Sequence, residues 1–345
     1  MKNFKIKNDY KNFVKGLLSL NYLVIAPKYE NGILKFSKIK NAAEILSPSE
    51  YINTVSSTKE YFFPQTEPVI KFTFEGKEIF LKDVEIEKKP KVVLGLRPCD
   101  AASFSILDDI FQYEYKDEFY FTRRENTIII GAACESNDES CFCTTTGLAP
   151  DSSQGADLFI EKNNEEKYFL RAVTEKGERL VEQLIAEVEE LEEEPKKNPL
   201  YEKIEKQIRK KIDLIEAKKW LDNNFENEKW EELSSQCLSC GSCAYLCPTC
   251  HCFDIVDEVN YNSGVRRKNW DACQFDLFTL HSSGHNPRDT KAKRYRQRVM
   301  HKFKYYADRF DKTLCTGCGR CIRACPVNID IYEVVKEFAP LVEQN

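Results

Sequence analysis

The sequence predicts an α/β domain in the N-terminal part of the chain and a mainly α-helical domain in the C-terminal part. Two apolar runs, 91–96 and 127–131, stand on either side of a segment with helical spacing over 101–111. This order of strand, helix and strand predicts parallel pairing through a right-handed crossover. Farther along the chain, two cysteine motifs are separated by residues 248–314, a gap that favours helices between two ligand loops. We therefore expect an α/β domain over 1–190, a charged helical connector over 191–235 and a helical domain over 236–345.

The remaining elements follow from the spacing of apolar residues. One helical face near the N-terminus, with Asp9 as a candidate N-cap, consists of Tyr10, Phe13, Val14, Leu17 and Leu18. Residues 22–26 have the pattern of a buried strand, 71–74 alternate like a half-exposed strand, and 158–160 predict a further strand. At the boundary between the α/β domain and the connector, a densely acidic run over 187–194 precedes Pro195 and Pro199. A charged amphipathic helix is predicted after these prolines.

The composition indicates a globular chain that binds neither membranes nor nucleic acids. Of its 345 residues, 42% are hydrophobic and 31% are charged, and the net charge is −5. No apolar run reaches the roughly 18 residues of a membrane-spanning helix, and the N-terminus lacks the apolar stretch of a signal peptide. An acidic chain is a poor match for nucleic acid. Fifteen cysteines without an export signal favour metal ligation in a reducing compartment, and we expect the cytoplasm.

The C-terminal third contains one cysteine motif twice, with the spacing C-x2-C-x2-C-x3-C-P. In bacterial ferredoxins with this spacing, three cysteines hold one 4Fe-4S cluster and the fourth ligates the other cluster. We therefore predict a two-cluster ferredoxin domain with two 4Fe-4S clusters. The predicted ligands are Cys237, Cys240, Cys243 and Cys325 for the first cluster, and Cys315, Cys318, Cys321 and Cys247 for the second. Zinc sites are the alternative, but zinc usually takes two ligands from each knuckle.

Four more cysteines are predicted to meet in the α/β domain. Cys99 and Cys134 each follow one of the two apolar runs, and Cys141 and Cys143 come soon after. Open α/β sheets place their sites at the carboxyl ends of neighbouring strands. We predict that these four cysteines hold a third iron-sulfur cluster of unknown type. Buried structural thiols or a zinc site are the alternatives.

Three cysteines, Cys250, Cys252 and Cys273, are left over. We expect them to pack beside the clusters and tune them by hydrogen bonds, and ligation of another metal is the alternative. The chain has no G-x-G-x-x-G after a strand and no P-loop lysine motif, so neither flavin nor nicotinamide is expected on it.

Several motifs outside the ferredoxin spacing resemble one family along nearly the whole chain. They are 97–100 (Arg-Pro-Cys-Asp), 141–143 (Cys-Phe-Cys), 247–253, 270–275 and 284–288. These segments are similar to the iron-sulfur beta subunit of cytoplasmic sulfhydrogenases, a class of nickel-iron hydrogenase, and equally to the corresponding iron-sulfur subunit of anaerobic sulfite reductase. The resemblance implies an electron-transfer subunit of a multisubunit oxidoreductase. Such a chain relays electrons between two partners, a flavin- and NAD(P)-binding subunit on one side and a catalytic subunit on the other. The catalytic partner is either the nickel-iron hydrogenase or a sirohaem sulfite reductase.

On this interpretation no bond is made or broken on the polypeptide, and no catalytic residue is expected. Two other functions stay open from the residues alone. The chain could be a self-contained reductase that uses a cluster and a free thiol, with Cys250, Cys252 or Cys273 as the reactive group. It could also be a zinc-stabilised scaffold without redox activity.

Overall fold

A computed structural model describes residues 2–165 and 167–342 of the chain. In chain order, the strands are β1 (Asn3–Ile6), β2 (Leu23–Glu30), β3 (Ile33–Lys38), β4 (Thr66–Glu75), β5 (Glu78–Asp83), β6 (Lys91–Leu96), β7 (Thr127–Ala132), β8 (Leu158–Lys162), β9 (Tyr168–Ala172), β10 (Val188–Leu191), β11 (Phe253–Asn260) and β12 (Ser263–Trp270).

The helices divide between the two halves of the chain. They are α1 (Tyr10–Ser19), α2 (Pro98–Phe111), α3 (Glu118–Glu125), α4 (Glu175–Gln183), α5 (Pro199–Gln207), α6 (Leu214–Asn223), α7 (Lys229–Ser234), α8 (Ser242–Tyr245), α9 (Lys291–Met300), α10 (Tyr306–Phe310), α11 (Arg320–Arg323) and α12 (Ile331–Lys336). A single π-helical turn, His301–Tyr305, joins α9 to α10. Such turns are found at functional sites more often than elsewhere.

The N-terminal part is built on a mixed sheet of eight strands in the order β10-β1-β9-β8-β7-β6-β2-β3. Its central strands β2, β6, β7 and β8 run parallel, and the outer strands pair antiparallel. Strand β6 pairs with β7 so that Val93 lies opposite Ile129. The parallel pairing predicted for these two apolar runs is therefore confirmed.

Helices cover both faces of this sheet, which explains why β6 is apolar at successive positions. Val92 and Leu94 of β6 pack with Phe13 and Leu17 of α1 on one face. On the other face, Val93 and Leu96 pack with Phe104 and Leu107 of α2, as is typical of parallel strands that are buried on both sides. Burial of each such side chain contributes on the order of 1.5–3 kcal/mol. The sheet therefore forms a rigid support for the loops at its carboxyl edge.

The predicted mainly α-helical character of the C-terminal part is wrong. The gap between the cysteine motifs contains a hairpin of β11 and β12, and this hairpin joins a second sheet in the order β11-β12-β4-β5. Val265 of β12 lies opposite Lys71 of β4, so strands from the two halves of the chain share a sheet. Every residue of β11 is exposed, and a strand without a buried face lacks the strict apolar alternation that identifies strands in a sequence.

The helices of the connector and of the C-terminal part share a core of their own. Leu221 of α6, Trp230 of α7, Val299 of α9 and Phe338, which follows α12, are buried together. The rings of Trp220 and Phe338 are stacked with centroids 4.0 Å apart. This core holds the segments that precede and follow the cysteine loops in one position.

Two surface properties bear on function. The second sheet exposes large apolar side chains, among them Phe80 and Leu81 of β5 and Val259 of β11. Exposed apolar patches of this kind are typical of surfaces that bind other proteins. Among the residues that the structure describes, no helix is both long and apolar enough to span a membrane.

Candidate metal centres

The two ferredoxin-type motifs fold in the same way. In each, a glycine with φ of +74° (Gly241 and Gly319) begins a four-residue helix that carries the third cysteine. A left-handed residue precedes the second cysteine in both loops, Ser239 with φ of 54° and Gly317 with φ of 63°. Such backbone angles favour glycine, which explains three of these four positions. The repeated spacing in the sequence therefore corresponds to a repeated structure.

One cavity is lined by all four cysteines predicted for the first cluster, Cys237, Cys240, Cys243 and Cys325. A fifth cysteine, Cys321 of the second predicted set, also lines this cavity. The other walls combine apolar side chains (Leu238, Pro326, Val327, Ile329 and Ile331) with Gln274, Tyr295 and Arg298. Backbone N–H groups face the sulfurs, since Ser239 donates to Cys237 Sγ at 3.4 Å and Ile329 donates to Cys325 Sγ at 3.2 Å. A cysteine-lined cavity with backbone N–H donors suits an iron-sulfur cluster. Cys240 is exposed, so one side of this cavity lies close to solvent.

The four cysteines predicted for the second cluster are also close to one another. The thiol of Cys247 lies close enough to interact electrostatically with the thiols of Cys315, Cys318 and Cys321. Burial raises the pKa of Cys315 to about 11 and the pKa of Cys321 to about 12.

Donors contact the sulfurs of this set as well. The ammonium of Lys302, which is 2% exposed, donates to Cys247 Sγ at 3.2 Å. The backbone N–H of Gly317 donates to Cys315 Sγ at 3.5 Å. The side-chain hydrogen bond with Cys250, and then the charges of Lys302 and Arg298, lower the pKa of Cys247. The chain thus favours the thiolate form at the cysteine that the first motif contributes to the second set.

The third predicted set also meets at one place. Cys99 lies in the first turn of α2 just after β6, and Cys134 follows β7, so both lie at the carboxyl edge of the parallel strands. The thiol of Cys134 lies close enough to interact electrostatically with the thiols of Cys99, Cys141 and Cys143. Burial raises the pKa of Cys134 to about 11, and the adjacent guanidinium of Arg97 opposes this shift.

The third set adjoins the second one directly. Cys99, Cys143 and Cys318 pack in a single buried group. The backbone N–H of Phe142 donates to the carbonyl of Gly317 at 3.0 Å. A Cβ atom on Gly317 would lie 2.5 Å from the backbone of Cys143, a distance that only glycine avoids. Because Cys321 of the second set also lines the cavity of the first set, the three predicted sets form a continuous series.

The remaining cysteines lie beside this series. Cys250 and Cys252 follow the first motif, and Cys273 follows β12. The thiol of Cys273 interacts electrostatically with that of Cys243. The thiol of Cys250 interacts in the same way with that of Cys247. They therefore adjoin cysteines of both ferredoxin sets.

Sequence reasoning missed the buried cations among these cysteines. Lys59 and Arg298 are each 3% exposed, and Lys302 is 2% exposed. Arg298 belongs to a run of basic residues over 291–298, and the sequence singles out no residue of that run. Nothing in the sequence around Lys59 indicates that it lies near the cysteines, because the carbonyl of Cys250 that it contacts is 191 residues away along the chain.

The donor atoms at the three predicted sets are all cysteine sulfurs. In the described ranges 2–165 and 167–342, no three Cys, His, Asp or Glu side chains are grouped so as to hold one metal ion. Thiolates alone, arranged around a cavity, are the donor chemistry of iron-sulfur clusters.

Comparisons with known proteins agree with this description. Residues 236–329 match the family model of a 4Fe-4S dicluster domain. The chain is 29% identical over 318 residues to the beta subunit of sulfhydrogenase 2 from Pyrococcus furiosus, an alignment that covers 91% of each chain. No solved structure matches the chain. The chain thus carries a 4Fe-4S dicluster domain and is similar, over nearly its whole length, to the beta subunit of a sulfhydrogenase, as its motifs indicate.

Proposed function

We propose that this protein is the electron-transfer subunit of a cytoplasmic multisubunit oxidoreductase. It relays electrons between two partners, a flavin- and NAD(P)-binding subunit on one side and a catalytic subunit on the other. The observation that carries the proposal is the continuous series of three cysteine sets, in which Cys318 of the second set packs against Cys99 and Cys143 of the third. When bound at these cysteines, iron-sulfur clusters supply one-electron transfer.

The ligands in this proposal are the cysteines that the sequence indicates. Two 4Fe-4S clusters are held by Cys237, Cys240, Cys243 and Cys325, and by Cys315, Cys318, Cys321 and Cys247, and a third iron-sulfur cluster by Cys99, Cys134, Cys141 and Cys143. Within the proposal, the α/β domain over 1–190 holds the third set, 191–235 connects the two parts, and 236–345 holds the ferredoxin pair. The shared sheet of β4 and β12 supports a fixed arrangement of the two parts.

The chain's own residues position and tune these sites. Backbone N–H groups and the ammonium of Lys302 donate to cysteine sulfurs. Hydrogen bonds to sulfur and nearby positive charge stabilise the reduced, more negative state and so raise its potential. Burial of Cys247, Cys315 and Cys318 excludes water from the middle of the series.

The similarity to a sulfhydrogenase subunit favours a nickel-iron hydrogenase as the catalytic partner. A sirohaem sulfite reductase is the second candidate, because the sequence motifs resemble both families. The exposed apolar side chains of the second sheet support assembly with other subunits. Isolation of the native complex separates the candidates, since a large nickel-binding subunit identifies the hydrogenase and a sirohaem subunit identifies the sulfite reductase.

Replacement of Cys318 by serine tests the relay. We expect C318S to abolish electron flow from reduced nicotinamide to the catalytic subunit in the assembled complex, while the catalytic subunit still reacts with an artificial one-electron donor. The control is Thr313→Ser, which keeps the hydroxyl that donates to the carbonyl of Cys315 in the same loop. Unchanged electron flow in C318S would show that the relay assignment is wrong.

The same preparation tests the two other functions. A brown chain whose visible absorbance bleaches on reduction rules out a zinc-stabilised scaffold. Substrate turnover by the isolated chain, without partner subunits, would instead support a self-contained reductase.

A further inference from the structure

Strand β5 forms one edge of the second sheet, and all of its residues are exposed. It ends the order β11-β12-β4-β5, so no strand pairs with its outer side within the described part of the chain. Ile79, Phe80 and Leu81 at its centre are 59%, 47% and 68% exposed. A free edge with consecutive exposed apolar residues is a template for pairing with another strand.

Charge distinguishes β5 from the other edge strands of the two sheets that the structure describes. The charged residues of β3 are all basic, and those of β10 and β11 are all acidic. By contrast, β5 carries both signs, with Glu78 at its start and Lys82 near its end. Two copies of β3, β10 or β11 would bring like charges together, whereas two copies of β5 can bring opposite charges together.

Within one chain, both of these charges lie opposite like charges. In the antiparallel pairing of β4 with β5, Glu78 lies opposite Glu75, and Lys82 lies opposite Lys71. Among the described residues, none of these four side chains has an ion-pair partner. Like charges that lie directly opposite one another destabilise a sheet. Each end of β5 therefore gains stability from an opposite charge on its outer side.

The backbone of β5 directs alternate peptide groups at the free edge. The N–H of Phe74 in β4 donates to the carbonyl of Asn262 at 2.7 Å, on the side away from β5. Ile79 lies opposite Phe74, and Leu81 lies opposite Phe72. Because hydrogen-bonded and non-hydrogen-bonded pairs alternate in an antiparallel ladder, the N–H and C=O groups of Ile79 and Leu81 point away from β4. These groups are available to a strand on the outer side.

A second copy of β5, related by a two-fold axis, matches these backbone groups. When Phe80 lies opposite Phe80 of the second copy, Ile79 lies opposite Leu81 of that copy. Ile79 and Leu81 then form hydrogen-bonded pairs across the axis, as the direction of their backbone groups requires. The two Phe80 side chains form a non-hydrogen-bonded pair, in which side chains approach most closely.

In the same register the charges of the two copies are complementary. Glu78 of each copy lies opposite Lys82 of the other, so each like-charge pair inside a chain gains an adjacent opposite charge. A shift of the register by two residues would place Glu78 or Lys82 opposite Phe80 instead. A shift by one residue would place outward-facing backbone groups opposite inward-facing ones. The register centred on Phe80 is therefore favoured.

We propose that the chain forms a two-fold symmetric homodimer in which β5 pairs antiparallel with β5 of a second copy. The second sheets of the two copies then form one continuous sheet across the axis. Such an interface is isologous, because both copies contribute the same strand. The dimer goes beyond the electron-relay function and does not depend on it.

Charge substitutions in the full-length chain, purified without oxygen, test the register. Sedimentation equilibrium over a range of protein concentrations measures the dissociation constant of the dimer. We expect Glu78→Lys and Lys82→Glu each to raise this constant by roughly tenfold or more, because two facing pairs in each dimer become like-charged. The double variant E78K/K82E should return the constant close to the wild-type value, because opposite charges face each other again.

A proline substitution tests the backbone pairing. Ile79→Pro removes an N–H that faces the free edge and none that faces β4, so we expect a folded monomer. The matched control is Val259→Pro in β11, at the other edge of the same sheet, since Val259 is also 59% exposed. Its N–H faces outward too, because the next residue, Asn260, pairs with Ser263 beside the turn. We expect V259P to remain a dimer.

Several outcomes would overturn the dimer. One is a wild-type chain that stays monomeric at all concentrations measured, and another is a dimer that is lost in V259P and kept in I79P. A monomeric wild-type chain whose assembly with partner subunits is lost in I79P would assign the edge to a partner's strand instead. If I79P fails to fold, as judged by circular dichroism, the charge variants decide, and a double variant as weak as the single ones contradicts the register. None of these measurements requires electron transfer, so they are independent of the relay test with C318S.

Discussion

Arg320 and Asp100 form a buried ion pair that joins the second ferredoxin motif to the third cysteine set. Arg320 Nη2 lies 2.8 Å from Asp100 Oδ2, and the two side chains are 1% and 0% exposed. Arg320 follows Cys318 closely in the chain, and Asp100 directly follows Cys99. One ion pair between residues 220 positions apart therefore links two proposed cluster sites.

Loss of this carboxylate should destabilise the protein. Asp100→Asn leaves the buried guanidinium of Arg320 without a full counter-charge, and breaking a buried pair in this way costs about 3–5 kcal/mol. We expect a lower free energy of unfolding, measured by denaturant titration followed by circular dichroism. The control is Asp257→Asn, which removes an exposed partner of Arg266 at 2.8 Å and should leave the midpoint nearly unchanged. Equal effects of the two substitutions would contradict the role of burial.

Lys302 should tune the second ferredoxin cluster. Lys302→Met removes both a hydrogen bond to Cys247 Sγ and a buried positive charge, and both stabilise the reduced state. We expect one midpoint potential to fall by on the order of 60 mV, the shift that corresponds to a tenfold change in a one-electron equilibrium. An EPR-monitored redox titration measures it.

Lys304 provides the matched control for that measurement. It lies in the same helical turn, but its ammonium is directed at carboxylates and pairs with Asp308 at 3.0 Å and with Asp222. Lys304→Met should therefore leave all potentials in place. A similar shift in both variants would indicate a general charge effect rather than contact with Cys247.

His301 should make the fold sensitive to acid. Burial lowers its pKa from 6.5 to about 3, and the nearby His251, Lys302 and arginines act in the same direction. Below pH 6.5 the unfolded chain binds a proton at this residue while the folded chain does not, so stability falls as the pH falls. The slope approaches about 1.4 kcal/mol per pH unit between these two pKa values, for this one group.

Replacement of the imidazole by an amide isolates this contribution. The difference in melting temperature between about pH 7 and about pH 5 should be smaller in His301→Gln than in the wild type. His281→Gln serves as the control, because His281 is exposed. If the wild type and His301→Gln lose the same number of degrees, His301 is not the group responsible.

Features that depend on local spacing can be predicted from the amino-acid sequence alone. The two ferredoxin motifs are predictable because the intervals between cysteines and the glycines at positive φ shape each loop locally. The parallel pairing of β6 and β7 is predictable because apolar runs that flank a helical segment allow few arrangements. The positions of Cys99 and Cys134 at the ends of these strands are predictable for the same reason. A third cluster at these cysteines stays a prediction.

Features that join distant segments emerge only in the folded chain. The hairpin of β11 and β12 is hard to predict because β11 has no buried face, and so no alternating apolar pattern. The strand that pairs with β12, β4, lies in the other half of the chain. Likewise, Lys59 reaches Cys250 only after both parts have folded together. A buried charge or a paired strand is stabilised by the group that lies opposite to it in the fold. The local sequence does not indicate which distant residue supplies that group.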